Sequence, residues 1–355
     1  MKKFDEMKII ILAGGSGKRL WPISSKSNPK QFLKFLDEKS LFQKTLQRFE
    51  NFKHLDEIVV VINKDHLKIT KDQISEIKFQ KKVKILTEPD RKNTAPAILF
   101  AIKSLKKMRD IDENTKLLIL PSDHLIFPKE KFLSYLENLK NESLNDLIIF
   151  GIRPNRIETG YGHIKIGKKI SNNLHKVETF IEKPEFDIAK KLFLSEKYLW
   201  NAGIFLFTEK ILIDEIKKCN PDLYKFYQIS FDKFLDHFSK IDKISIDYAL
   251  IEKTKKISVC PLDVSWTDVG SWDSIYDVMP KDKNANVTKG KVLTLNTKNS
   301  LIFAKKKLIS TMGLENIILV ETDDAIFLAK KGESQKVKKL IDKMLRKQKK
   351  LKKSF

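Results

Sequence analysis

Over its first 150 residues the chain alternates short apolar runs with longer amphipathic stretches, a pattern that predicts βαβ units and a largely parallel sheet. The expected strands cover residues 8–12, 57–62, 83–86, 116–120 and 147–151, and the expected helices 40–52, 65–77, 94–108 and 129–140. Five strands joined by four crossovers make a doubly wound core, in which ligands sit beyond the carboxyl ends of the strands. From Asn284 to Gly332 the pattern shifts to short β-rich runs, "KVLTLNT", "NSLIFAKKK", "NIILVET" and "DAIFLAKK", which predict a small all-β appendage. Beyond it Val337, Leu340, Ile341, Met344, Leu345 and Leu351 share one face of a lysine-rich helix. The expected division is therefore 1–280, 284–332 and 333–355.

Composition narrows the class. With 355 residues, 41% of them hydrophobic, the chain has material for about two domains. No apolar run approaches the roughly 20 residues of a membrane span, and the N-terminus lacks a secretory apolar core, so a cytoplasmic protein without integral membrane association is expected. Cys219 and Cys260 have no metal-ligand spacing around them and read as buried thiols. The net charge of +23 invites a nucleic-acid reading, but its distribution argues against one. Only seven of the 69 basic residues are arginine, and Lys336 to Phe355 alone carries ten positive charges and one Asp. The excess is general lysine drift plus a local basic tail, so no nucleic-acid partner is expected.

The chemistry gathers just after the predicted strands, in "AGGSGKRLWP", "TEPDRKNTAP" and "PSDH". Gly14, Gly15 and Gly17 suit a backbone concavity for phosphate, and Arg19 adds a planar fork for its oxygens. The loop is not a Walker A motif, because Arg19 stands where the metal-binding Ser or Thr belongs. It also lacks the third glycine of a dinucleotide fingerprint. A tight turn explains the glycines alone but not Arg19 and "PKQ" beside the later clusters.

The segment "LAGGSGKRLWPISSKSNPKQFL" resembles the signature of sugar-nucleotide pyrophosphorylases, in particular of mannose-1-phosphate guanylyltransferases. The likeness runs on through "EPDRKNTAPAI", "LPSDH", "FGIRPNRIETGYGHI", "FIEKP", "LWNAGIF", "SIDYALIEKT" and "PLDVSWTDVGSWDS", across almost the whole chain. It implies a Rossmann-like, GT-A-like nucleotidyltransferase domain, an α/β mixed sheet flanked by helices, followed by a short left-handed β-helix of the kind used for dimer contacts, hence a homodimer. Long members of the family add an isomerase domain, and with 23 residues after Gly332 no second catalytic domain is expected here.

The reaction implied is GTP plus mannose 1-phosphate giving GDP-mannose and pyrophosphate, by in-line attack of the sugar phosphate on the α-phosphorus. A phosphate monoester with a second pKa near 6 is already mostly dianionic at neutral pH, so the need is for charge neutralisation and alignment. By family position Asp123 and Asp268 hold Mg²⁺ or another divalent cation, Arg19 and Lys30 meet the triphosphate, and Lys183 meets the sugar phosphate. Tyr161, Gly162, Glu182 and Asn201 take the hexose. Leu12, Ala13, Gly14, Gly15, Gly17, Glu88, Asn93, Thr94 and Ser122 form the nucleotide side. His124 and His163 read as structural hydrogen-bonders, Asp273 as a cap or solvated acid, and Trp200 and Trp266 as walls. Lys18 replaces the Thr usual in the family and has no assigned role. The alternatives are a pyrophosphorylase for another hexose 1-phosphate or nucleotide, and a non-catalytic sugar-nucleotide-sensing paralogue.

Overall fold

In a computed structural model the described residues are 7–15, 20–24, 29–53, 55, 57–140 and 144–351. They form two compact units that do not follow chain order. The first comprises Met1–Gly14, Gln43–Ser122 and Ile126–Trp266, and the second Gly15–Phe42, Asp123–Leu125 and Thr267–Phe355. Gly17, Lys18 and Arg19 lie outside the described residues.

The expected strands all form, β1 with the expected bounds and the others one or two residues longer at an end: β1 (Lys8–Leu12), β2 (Glu57–Asn63), β3 (Lys82–Glu88) and β4 (Lys116–Pro121), then, after the short β5 (Leu125–Phe127), β6 (Leu147–Ile152). The continuous Ile, Val and Leu runs of β1, β2, β4 and β6 are buried almost throughout, as strands covered on both faces require. The helices also form, α1 (Leu41–Arg48) and α2 (Leu67–Glu76) being shorter than expected, with α3 (Thr94–Lys107) and α4 (Lys129–Lys140) close to expectation. Later come β7 (His163–Lys169), β8 (His175–Ile181), α5 (Phe186–Leu194), β9 (Tyr198–Thr208), α6 (Glu209–Cys219), α7 (Pro221–Gln228), α8 (Phe231–His237), β10 (Ile257–Leu262) and β11 (Ser265–Thr267).

The sheet of the first unit is mixed and nine-stranded, in the order β3-β2-β1-β4-β9-β6-β10-β8-β7. Its β3-β2-β1-β4 half is parallel, as the alternation predicts. The mixed character expected from the resemblance enters at β9, which inserts between β4 and β6 and runs antiparallel to both. Hydrophobic periodicity marks a strand but not its neighbour, and the long apolar run of β9 gives no local sign of that insertion. The parallel half ends its strands on the residues that matter: Ala13 N donates to Val61 O (2.8 Å) and Ser122 N to Leu12 O (3.1 Å).

In the second unit α9 (Trp272–Val278) precedes the β-rich segment, whose strands are β12 (Val287–Lys289), β13 (Val292–Leu295), β14 (Leu301–Phe303), β15 (Ile309–Met312), β16 (Ile317–Glu321) and β17 (Ile326–Lys330). Strands β12, β14 and β16 stack in parallel, β13 stacks on β15, and β17 closes the end antiparallel. This is the coiling of a β-helix. Val287, Leu301, Phe303, Ile318, Val320 and Phe327 point inward into a core shared with Leu20, Phe35 and Trp272 of the same unit. The terminal helix α10 (Val337–Leu351) buries Val337 in that core, whereas Leu340 and Met344 of its expected apolar face stay exposed. Cys260 is buried as expected, but Cys219 is only half-buried.

Candidate active site

The site residues fall into groups, each held within one unit. In the first unit, β3 ends on Glu88, which is 5% exposed. A Cβ at Gly14 would lie 2.8 Å from Glu88 Oε1, so glycine is what lets this carboxyl sit against the backbone after β1. Burial, with Asp90 nearby and against the pull of Arg91, raises the Glu88 carboxyl to about 7. Asn93 and Thr94 build the N-terminus of α3. Asn93 has φ of 74° and caps the helix by accepting from Thr94 N (2.9 Å), while Thr94 Oγ1 accepts from Ile246 N (2.8 Å). Both therefore carry structural duties beside any nucleotide contact. Ser122 is buried, and its carbonyl accepts from Thr45 Oγ1 at 3.2 Å.

A second group of the first unit surrounds Glu182, whose side chain is 3% exposed and ion-paired with the half-exposed Lys183. Lys183 has φ of 45°, a left-handed conformation that is costly for a residue with a Cβ and recurs at functional sites. A Cβ at Gly162 would come within 2.7 Å of both Glu182 Oε2 and Phe180 Cζ, so Gly162 leaves room for that carboxylate. Asn201 N donates to Gly162 O (2.8 Å), and Asn201 Nδ2 donates to Asp247 Oδ1 (3.0 Å). Tyr161 meets Trp200 and Trp266 edge to face, at 5.3 and 5.1 Å. The two tryptophans thus pack against the Tyr161 ring. Nδ1 of the buried His163 lies 3.1 Å from Tyr161 O and donates to it, and burial lowers its pKa, which suits a structural neutral imidazole.

In the second unit Lys30, 9% exposed at its side chain, ties two acidic positions together. Its Nζ lies 2.8 Å from Asp123 Oδ2 and donates to Asp268 O at 2.5 Å. Gln31 Nε2 donates to Gly15 O (3.1 Å), anchoring the glycine segment of the same unit. Asp268 Oδ1 accepts from Gly270 N (2.9 Å), and a Cβ at Gly270 would fall 2.3 Å from Asp268 Oδ2. Gly270 therefore keeps the Asp268 carboxylate folded over its own loop. His124 Nε2 lies 3.8 Å from Asp123 Oδ1. Asp273 accepts from Gly332 N (2.6 Å) and Ser334 N (3.3 Å), a cap on the turn before α10 rather than a ligand.

Among the described residues no group of three or more His, Cys, Asp or Glu side chains is placed so that it could hold a metal ion by itself. Carboxylate oxygens such as those of Asp123 and Asp268 are the ligand type magnesium takes, with phosphate oxygens and water completing its shell. Sequence reasoning missed Asp247 and Gly270. The motifs "SIDYALIEK" and "WTDVGSW" contain them, but nothing in the chain names Asn201 or the Asp268 carboxylate as their partners.

Comparison with known proteins places the chain in a family. The nucleotidyl transferase family model matches residues 8–285, and the MannoseP isomerase/GMP-like beta-helix domain model matches 290–344. The chain is 38% identical over 346 residues to the alginate biosynthesis protein AlgA of Pseudomonas syringae pv. tomato, covering 94% of this chain and 70% of that protein. It is 38% identical over 346 residues to a mannose-1-phosphate guanylyltransferase of Salmonella muenchen, covering 94% and 72%. The crystal structure of a mannose-1-phosphate geranyltransferase from Thermus thermophilus superposes with a TM-score of 0.84 at 25% identity, over 96% of this chain and 99% of that one. The chain belongs to the nucleotidyl transferase family and, within it, to the mannose-1-phosphate guanylyltransferases.

Proposed function

We propose that the protein transfers GMP from GTP to mannose 1-phosphate, releasing pyrophosphate and forming GDP-mannose. The observation that carries the reading is Lys30 holding Asp123 and the Asp268 loop together beside the glycine segment anchored by Gln31. That arrangement suits a triphosphate, and the Salmonella muenchen relative carries the same activity in its name. Asp123 and Asp268 would hold a divalent cation, which when bound neutralises charge on the phosphate oxygens. Lys30, and Arg19 from outside the described residues, would offset the charge of the leaving pyrophosphate.

On the hexose side Lys183 would meet the sugar phosphate, while Glu182 and Asn201, with the chain at Tyr161 and Gly162, would fix the hydroxyls. Guanine presents N1–H and an amino group as donors, and Glu88 supplies a buried carboxyl to accept them. No general base is needed, because the attacking phosphate arrives ionised. Pyrophosphate release from GTP and mannose 1-phosphate tests the reading directly. Asp268→Asn should lower kcat by at least about 100-fold while leaving the far-UV circular dichroism unchanged, and normal turnover would refute the metal assignment.

The β-rich segment would join two copies into a homodimer. Leu293, Leu295, Leu308 and Met312 are each 58% to 71% exposed there, with Leu295 and Met312 in register on neighbouring strands. Sedimentation equilibrium should give twice the 41.3 kDa chain mass, and Leu295→Lys with Met312→Lys should halve it. Among the described residues no helix is long and apolar enough to cross a membrane.

A further inference from the structure

Asn201, within β9, has its carboxamide engaged at both ends. Its Oδ1 accepts from Gly203 N (3.0 Å), and its Nδ2 donates to Asp247 Oδ1 (3.0 Å). A backbone N–H only donates and a carboxylate only accepts, so the amide cannot turn over without losing both bonds. One Nδ2 hydrogen therefore remains, and its direction is set by Asp247. The carboxylate that does this stands on the π-helical turn Asp247–Ile251 and is half-buried. The charged groups facing it are Glu182 and Lys183, both from the end of β8 and its following turn. Burial and the Glu182 charge push its carboxyl up to about 6, whereas an uncharged acceptor would hold Asn201 without that repulsion. The Lys183 ammonium, ion-paired with Glu182, also acts electrostatically on Asp247. A phosphate that draws this ammonium away leaves two carboxylates whose natural replacement partners are hydroxyl donors.

We propose that Asp247 is a positioning residue for hexose recognition, which orients the Asn201 carboxamide so that its remaining N–H meets a hydroxyl oxygen of the hexose 1-phosphate. The proposal rests on the functional reading given above.

Steady-state kinetics of Asp247→Ala, Asp247→Asn, Asn201→Ala and the double alanine variant test it, with each substrate varied in turn. Asp247→Ala should raise KM for mannose 1-phosphate by about 10- to 100-fold and leave KM for GTP within about two-fold. Asp247→Asn can turn its own amide oxygen toward Asn201 and should recover most of that loss. The double alanine variant should be no worse than Asn201→Ala, because one residue acts through the other. Additive losses, or equal changes in both KM values, would overturn the role, and thermal unfolding of each variant separates it from general destabilisation. Wild-type turnover of GTP with mannose 1-phosphate is the separate control. If it fails, the functional reading falls; if it succeeds and Asp247→Ala is unchanged, only this role falls.

Discussion

Replacing Glu88 with Gln probes the nucleotide side through stability and binding together. The Glu88 carboxyl moves from 4.5 to about 7 on folding, chiefly through burial. Between those values the unfolded chain has already lost the proton that the folded chain retains. Stability therefore falls as pH rises through this window: the contribution is complete below the unfolded value and lost above about 7. At about 1.4 kcal/mol per unit the fall amounts to about 3 kcal/mol. Glutamine does not ionise. The drop in unfolding free energy between about pH 5 and about pH 8 should thus shrink by about 2 to 3 kcal/mol in Glu88→Gln, as read by urea unfolding followed through tryptophan fluorescence. The same substitution exchanges one of two acceptor oxygens for a donor that faces the guanine donors. KM for GTP at about pH 8 should then rise by about 10-fold or more, with KM for mannose 1-phosphate little changed. An unaltered pH slope of stability would refute the burial argument. An unaltered KM for GTP would remove Glu88 from the base pocket.

The remaining expectations concern the hexose side, the cation and the assembly. Gly162→Ala places a methyl group against Glu182 and Phe180, and should cost about 1 to 3 kcal/mol of stability in a thermal melt. It should also raise KM for mannose 1-phosphate well above any change for GTP, and a variant with wild-type KM and melting temperature would show that the neighbours yield freely. Asp268→Asn should separate catalysis from folding, and the paired lysine substitutions at Leu295 and Met312 should separate the dimer from the monomer.

How much of this was legible in the chain follows from how locally each feature is encoded. Strands β1, β2 and β4 announce themselves because strands buried on both faces read as unbroken Ile, Val and Leu runs. The capped start of α3 is equally local, since Asn93 precedes Thr94 and an apolar period. The β-helix shows as short runs at regular spacing, and its parallel register matches that spacing. The place of β9 between β4 and β6 was hidden, because strand pairing depends on partners tens of residues away. The same limit hid Asp247, whose bond to Asn201 spans 46 positions. Lys30 could be singled out by its setting in "NPKQ", but its bridge to Asp123 and the Asp268 carbonyl is a property of the folded second unit. Gly14 and Gly162 read in the sequence as backbone lining a ligand, and Gly270 was not singled out, whereas each leaves space for a carboxylate, those of Glu88, Glu182 and Asp268.

The central claim is the choice of base and hexose, and a substrate matrix tests it most directly. GTP, ATP, UTP and dTTP would each be incubated with mannose 1-phosphate and with glucose 1-phosphate, and pyrophosphate release followed as initial rates. The highest kcat/KM is expected for GTP with mannose 1-phosphate, with GDP-mannose as the recovered product. Rapid use of dTTP or UTP without turnover of GTP would contradict it.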